Sequence, residues 1–449
     1  MTDAVSPAAS ATRAWFQPRP LTLVLIGVAI FLVSLAAFAP GFSAAKDVYF
    51  DETWYVPTAR QWLADGQMLH PEHPPLAKML IAVGVKMFGD NPFGWRFMSL
   101  IFGALTVTAV WLWALALGLD VALSLFAAAI TLLDAIVFVQ ARIAMLDIFL
   151  ICFCTLALAA FSAGENAKTR GDAVGWHMLA GYCLGLAGAC KWSGFFLAFG
   201  LVGLKLVIAL LRYWRTRFED ARASDFYAPD APAIGLLGGV AAYLVAPFAA
   251  YFICYSPQMI RAHSVYEFVA THENMISIMT GKSADHPYKS LWYTWPVLYR
   301  PVWYLFEAPS KDAGGWSETG KAAAVVGLPN PFVLFAGEAA ILWSLFAGVV
   351  RRARAPLIIV VAFFAQWLPW AINPKGLEFY YYFFPSIVCL GPALALVAAT
   401  LRRPWRDAFV WTTVAVSAAF FVYFLPILVS SIGVGPNAFE ARVWLPSWR

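Results

Sequence analysis

Asp51 and Glu52 lie side by side just beyond the first long apolar segment, within Asp47-Val-Tyr-Phe-Asp-Glu-Thr-Trp-Tyr55, and His73-Pro-Pro-Leu-Ala-Lys78 follows downstream. Two adjacent carboxylates on a loop at a membrane face, with a rigid Pro-Pro turn and a lysine nearby, suit proton abstraction beside a phosphate better than they suit a pore. Alone, such a pair reads more often as solvated loop acids. The neighbours Phe50, Trp54, Tyr55 and Trp62 supply aromatic surface that partly excludes water, and a carboxylate there gains basicity through desolvation.

A second polar island is Gln140-Ala-Arg142-Ile-Ala-Met-Leu-Asp147, with Asp134 shortly before it. Charged groups in apolar helices are costly and are usually paired or functional, so the alternatives are an Arg142–Asp147 contact or a ligand contact. Arg96 opens the second apolar span, where it either snorkels to headgroups or binds phosphate. Lys191, Lys289 and Arg300 bind a lipid phosphate if they converge on one cavity and merely meet headgroups if they do not.

The elements that must hold these groups are set by the solvent. With 61% hydrophobic and 13% charged residues and repeated apolar runs of about twenty, the chain reads as an all-α polytopic membrane protein. Spans are expected near 21–40, 95–117, 119–139, 143–162, 174–190, 192–211, 233–254, 328–349, 357–372, 379–400 and 409–430, about eleven transmembrane helices. The pair flanking Lys191-Trp192-Ser-Gly194 is short enough to tilt or be partly re-entrant. The net charge of +5 does not point to nucleic acid, because the arginines gather in short clusters between spans. Those clusters are Lys168 with Arg170; Arg212, Arg215, Arg217 and Arg222; Arg351, Arg352 and Arg354; and Arg402, Arg403 and Arg406. All fall in loops that this count makes cytoplasmic. An uncleaved first span then leaves the amino terminus inside and the carboxyl terminus outside.

Residues 1–449 read as a single membrane domain with two large outer loops. The first, 41–94, is the expected catalytic loop; the second, 255–327, is the expected substrate-binding loop. Stretches 54–66, 75–89 and 257–281 have helical apolar periodicity opposite polar faces and read as amphipathic helices lying on the membrane surface. The six cysteines sit in or beside spans, so no disulfide framework is expected, and Cys152 and Cys154 read as packing rather than as a metal site.

The order Asp51-Glu52, His73-Pro-Pro-Leu-Ala-Lys78, Arg96, Phe102-Gly103-Ala-Leu105, Asp134 to Asp147, His286-Pro-Tyr-Lys-Ser290, Trp292-Tyr-Thr-Trp-Pro296 and Arg300-Pro301 resembles the bacterial protein O-mannosyltransferases over most of the chain. The resemblance implies the glycosyltransferase C fold and transfer of mannose from a polyprenyl-phosphate carrier to Ser or Thr of exported proteins. It further implies an inner-membrane location with the active site facing the periplasm or exterior. Position by position, Asp51 corresponds to the family's catalytic acid, Glu52 to its partner, and Arg96, Gln140 and Arg142 to its polar contacts. Further substrate contacts are expected at His73, Lys78, Asp147, Lys191, His286, Tyr288, Lys289, Trp295 and Arg300. Neither a metal nor another cofactor is expected, since a phosphomonoester leaving group needs cationic stabilisation rather than a general acid.

The departures are mild: Ala77 replaces the family's usual glycine, and Ala141-Arg142 replaces Ser-Arg. The soluble module that eukaryotic members insert in the second outer loop is missing, which leaves protein, lipid and glycan acceptors open. A related branch that serves lipid A has Lys-Pro-Pro-Leu where this chain has His73-Pro-Pro-Leu76. The rival class, a lipid-linked sugar transporter, would concentrate charge near the midplane in broken helices and show repeated halves.

Overall fold

The computed structural model describes residues 19–218, 234–281, 285–307, 320–372 and 376–449; Arg222 lies outside these, and so does Arg13. Helices α1 (Pro20–Phe38), α2 (Glu52–Asp65), α3 (Leu76–Phe88), α4 (Pro92–Ala116), α5 (Val121–Leu132), α6 (Ala135–Gln140), α7 (Asp147–Glu165), α8 (Arg170–Cys190) and α9 (Gly194–Phe218) form the first half. After them come α10 (Gly235–Val240), joined through a π turn to α11 (Ala246–Ile253), then α12 (Ser256–Ala262) and α13 (Tyr266–Thr280). A hairpin of β1 (Val302–Glu307) and β2 (Ala323–Gly327) precedes α14 (Pro331–Val349), α15 (Arg354–Trp367), α16 (Phe384–Ile387), α17 (Leu390–Ala399) and α18 (Trp405–Phe424).

Among the described residues, ten helical stretches are long and apolar enough to cross a membrane. The expected span 119–139 is not among them. It is broken at Asp134, whose Oδ1 accepts the Ile136 amide at 3.0 Å and so starts α6 as a separate helix. By contrast α8 and α9 are 21 and 25 residues long, not short.

Side-chain caps start several of these helices. Asn91 Oδ1 accepts the amides of Phe93 and Gly94 with Pro92 at the first helical position of α4, and Asp120 and Thr169 cap α5 and α8. Packing in lipid gains nothing from hydrophobicity, so close backbone approach has to do the work. Gly181 and Gly185, one turn apart on α8, illustrate it: a Cβ there would lie 1.7 Å from the Ala242 oxygen and 2.2 Å from the Pro247 oxygen.

The basic clusters gather at one end of the bundle. α7 runs from Asp147 to Glu165, and Glu165 accepts hydrogen bonds from Lys205 and Arg354 and meets His177 at 3.2 Å. Arg406 pairs with Asp120 at 3.1 Å. Asp147, Asp51, both large loops and the segment after α18 lie at the other end. There the Trp448 indole donates to the Leu298 oxygen at 2.8 Å, and Val434 bridges to Ala322.

α2 and α3 occupy the stretches expected to be surface helices in the first loop, as α12 and α13 do in the second. The hairpin was not expected. Its antiparallel register runs from Val302 opposite Gly327 to Glu307 opposite Ala323, with an irregularity between Trp303 and Leu305.

Candidate active site

Asp51 is the residue on which α2 begins, and the residue before it is strained: Phe50 has φ +51°, rare for a bulky side chain. The Phe50 ring is held by three others, with centroids 4.7 Å from Tyr304, 5.9 Å from Tyr381 and 6.5 Å from Phe379. That aromatic cage fixes the backbone that aims the Asp51 carboxylate. Tyr381 donates its hydroxyl to Asp51 Oδ2 at 3.4 Å.

Across from Asp51, Lys191 Nζ donates to Asp147 Oδ1 at 2.9 Å and sits 4.9 Å and 5.3 Å from the ring centroids of Tyr382 and Tyr381. Lys191 is held there because α8 ends at Cys190 and the chain turns extended before α9. Burial pushes the Asp51 carboxyl up to about 7; Lys191 pulls it down, Asp147 pushes it up, the Tyr381 hydrogen bond pulls it down, and Glu72 pushes it up. The result is a carboxylate poised near neutrality, the condition for a general base.

Glu52 is turned into Arg96. Its carboxylate takes Arg96 Nε at 2.7 Å and Nη2 at 2.8 Å, the Ala144 amide at 2.8 Å and the Tyr49 amide at 3.3 Å. Both side chains are 0% exposed. Arg96 spends its remaining donors on the carbonyls of Phe42, Ala45 and Asp47. With these donors and lone pairs engaged, Glu52 is not placed as a second catalytic carboxylate and Arg96 is not placed to bind phosphate. Together they clamp the 41–52 loop onto α4 and the turn before α7.

Other expected substrate contacts are likewise used internally. Arg142 does not pair with Asp147; its Nη1 donates to the Pro40 oxygen at 2.7 Å and to the Phe38 oxygen, so it closes the end of α1. Gln140 donates to the Tyr304 hydroxyl at 2.8 Å. Lys78, 1% exposed, donates to the carbonyls of His70 at 2.9 Å and His73 at 2.7 Å, and burial pushes its ammonium down to about 8 against the pull of Glu72. Trp295 is fully buried on Ser290.

Lys191, His73 and Tyr382 line a cavity of about 340 Å³ whose other walls include Trp192, Phe196, Met279, Trp370 and Leu377. An apolar cleft with a cation in its wall suits a lipid tail ending in phosphate. His286 stands beside the aromatic cage, its ring 5.0 Å from Phe379 and its Nδ1 accepting the Tyr288 amide at 3.1 Å. Lys289 pairs loosely with Asp285 at 3.8 Å in an exposed position. Arg300 is half-buried just before β1, and its Nε finds no partner among the described residues.

The family model described as dolichyl-phosphate-mannose-protein mannosyltransferase matches residues 28–95 and 87–261, and that of the C-terminal four TMM region of protein-O-mannosyltransferase matches 264–448. The chain belongs to the protein O-mannosyltransferase family. It is 29% identical, over 89% of its length and 87% of the relative's, to a polyprenol-phosphate-mannose–protein mannosyltransferase of Mycolicibacterium smegmatis. In fold it is similar to the S. cerevisiae protein O-mannosyltransferase Pmt1-Pmt2 complex bound to the sugar donor, with TM-score 0.76 and 15% identity over 97% of this chain and 93% of that one. It is also similar to ArnT from Cupriavidus metallidurans bound to undecaprenyl phosphate, with TM-score 0.53 and 18% identity over 91% and 71% of the two chains. The family's glycosyltransferase C fold is therefore the fold of this chain.

Within that family fold, the residues sequence reasoning missed are the aromatic strip Phe379, Tyr381 and Tyr382, together with Tyr304 and Glu72. The strip looks from its composition like the start of a membrane span. Its signal is the run Phe379-Tyr-Tyr-Tyr-Phe383, too rich in phenol groups to face lipid, placed directly after Glu378. Glu378 accepts the Trp292 amide at 2.9 Å and its carbonyl takes the Ser290 amide at 3.0 Å, which docks the second loop onto the strip.

Proposed function

We propose that this protein transfers mannose from a polyprenyl-phosphate carrier to Ser or Thr hydroxyls of proteins on the extracytoplasmic face of the bacterial inner membrane. The observation that carries this reading is Asp51, poised near neutrality beside Lys191, which also lines an apolar cavity. Family membership supports the donor and the acceptor class. The basic clusters at the opposite end support the orientation.

In the reaction, the acceptor oxygen attacks the anomeric carbon as its proton passes to Asp51, and the bond from that carbon to the phosphate oxygen breaks. The transition state is oxocarbenium-like, the configuration inverts, and no covalent enzyme intermediate forms. Lys191 offsets the charge gathering on the departing phosphate while Asp147 orients its ammonium. Phe50 and its aromatic neighbours exclude water, which would otherwise compete as acceptor.

The test is direct. Purified protein in liposomes, given radiolabelled polyprenyl-phosphate mannose and a secreted acceptor protein, should place label on Ser and Thr, releasable by β-elimination. Label appearing only in lipid or glycan, or remaining on the carrier, would overturn the assignment.

A further inference from the structure

A second concavity of about 500 Å³ lies between the end of α2, the strap that follows it, and the helices α12 and α13, lined by Gln67, Gln258, Arg261, Glu267, Thr271 and Asn274. It shares a wall with the apolar cavity. Gly66, Gln67, Met68 and Pro71 face the groove while Glu72 and His73 of the same strap face the cavity. α13 likewise gives Glu267, Ala270, Thr271 and Asn274 to one and Met279 to the other. Lys78 pins the strap through the His70 and His73 carbonyls, and Trp54, one turn after Asp51, packs on His70 at 4.7 Å. The groove is built: Gly66 adopts φ +71° and leaves room for Arg261, whose Nη1 would lie 2.8 Å from any Cβ there.

Resting on the function proposed above, we infer that this groove binds the flank of an extended acceptor polypeptide. Its chemistry favours a neutral ligand that both donates and accepts hydrogen bonds. Arg261 and Glu267 cancel in charge, so an anion gains little. Gln67, Gln258 and Asn274 carry amides, each able to donate and accept, which matches the one donor and one acceptor that every peptide unit offers. Gln258 Oε1 is buried without a hydrogen-bond partner among the described residues and awaits an N–H. α2 is 14 residues long, so its far end lies roughly 20 Å from Asp51. An extended chain covers that in about six residues. The bound flank therefore lies about four to eight residues from the hydroxyl that receives the sugar.

The experiment compares a long peptide, with flanks of eight residues around one Thr, against a short one with flanks of two, for the wild type and the double variant Gln258→Ala/Asn274→Ala. The KM for the long peptide should rise about tenfold, as expected for the loss of two hydrogen bonds. Turnover at saturation, the KM for polyprenyl-phosphate mannose and the KM for the short peptide should not move, and the unchanged donor KM shows the variant is folded. Equal KM values for the two peptides in the wild type, or a long-peptide KM untouched by the double substitution, would overturn the inference while leaving the function standing. A defect that appears only in liposomes containing phosphatidylethanolamine would assign the groove to a zwitterionic headgroup and overturn it too. Failure of the wild type to label any peptide removes the function and the inference together.

Discussion

Replacing Lys191 by Met tests whether Asp51 is the base and Lys191 its electrostatic neighbour. With the Asp51 carboxyl at about 7, roughly one-tenth of the enzyme is ionised at pH 6 and nine-tenths at pH 8. Because the ionised form is the active one, kcat/KM should fall as pH drops through 7, with a slope approaching one decade per unit. Lys191 is the leading influence that lowers this pKa; Asp147, Glu72, the Tyr381 hydroxyl and the phenols of Tyr55, Tyr382 and Tyr304 also face the carboxylate. Removing its charge leaves burial, Asp147 and Glu72 pushing upward, so the acid limb should move alkaline by about one unit, worth ~1.4 kcal/mol. The same ammonium is proposed to meet the donor phosphate, and a hydrogen bond to a charged group contributes ~1.5–3 kcal/mol, so the donor KM should rise about tenfold to a hundredfold. Stripping Lys191 also leaves Asp147 buried and unpaired, so the companion Lys191→Met/Asp147→Asn should fold better and carry its limb back toward lower pH. The assay is the initial rate of mannose transfer between pH 5 and 9 at subsaturating substrate. A wild-type limb below pH 5, or a limb that stays put in Lys191→Met, would refute the assignment.

Three further outcomes follow from the same geometry. Asp51→Asn keeps size and most hydrogen bonding but loses the basic lone pair, so transfer should fall by roughly 10² to 10⁴ while donor binding, measured by equilibrium partition of labelled lipid, persists. Arg96→Met should instead reduce folded yield and thermal stability, by ~3–5 kcal/mol, because Glu52 is left charged and buried; near-normal stability with lost turnover would return Arg96 to the substrate. Transfer should survive a strong chelator, since Asp147 is already held by Lys191 and Glu52 by Arg96; activity that vanishes and returns with Mg²⁺ or Mn²⁺ would make these carboxylates ligands.

The long apolar helices and the shorter helices α2, α3, α12 and α13 were legible because each rests on a local pattern: apolar length, or apolar spacing against a polar face. The break at Asp134 was less visible, since one carboxylate capping a new turn inside an apolar run looks the same as a buried polar residue. The hairpin β1–β2 has no such signature, because its strands are held by α6 and by the carboxyl-terminal segment, contacts distant in sequence.

At the site, adjacency in the chain misled. Asp51 and Glu52 are neighbours, yet a helix start turns one toward Lys191 and Tyr381 and the other into Arg96. Residue type alone marks both as acids. What divides them is which lone pairs are already spent: Glu52 is held by Arg96 and two backbone amides, whereas Asp51 has one long hydrogen bond among the described residues and a raised pKa. The same test sorts the cations. Lys78 and Arg142 close loops through backbone carbonyls, and Lys191 alone among the expected substrate cations combines a carboxylate partner, two aromatic faces and the wall of the apolar cavity. Among the described residues, Glu52, Arg96, Lys78 and Arg142 are thus spent on holding the loops and helix ends around Asp51 and Lys191 in place.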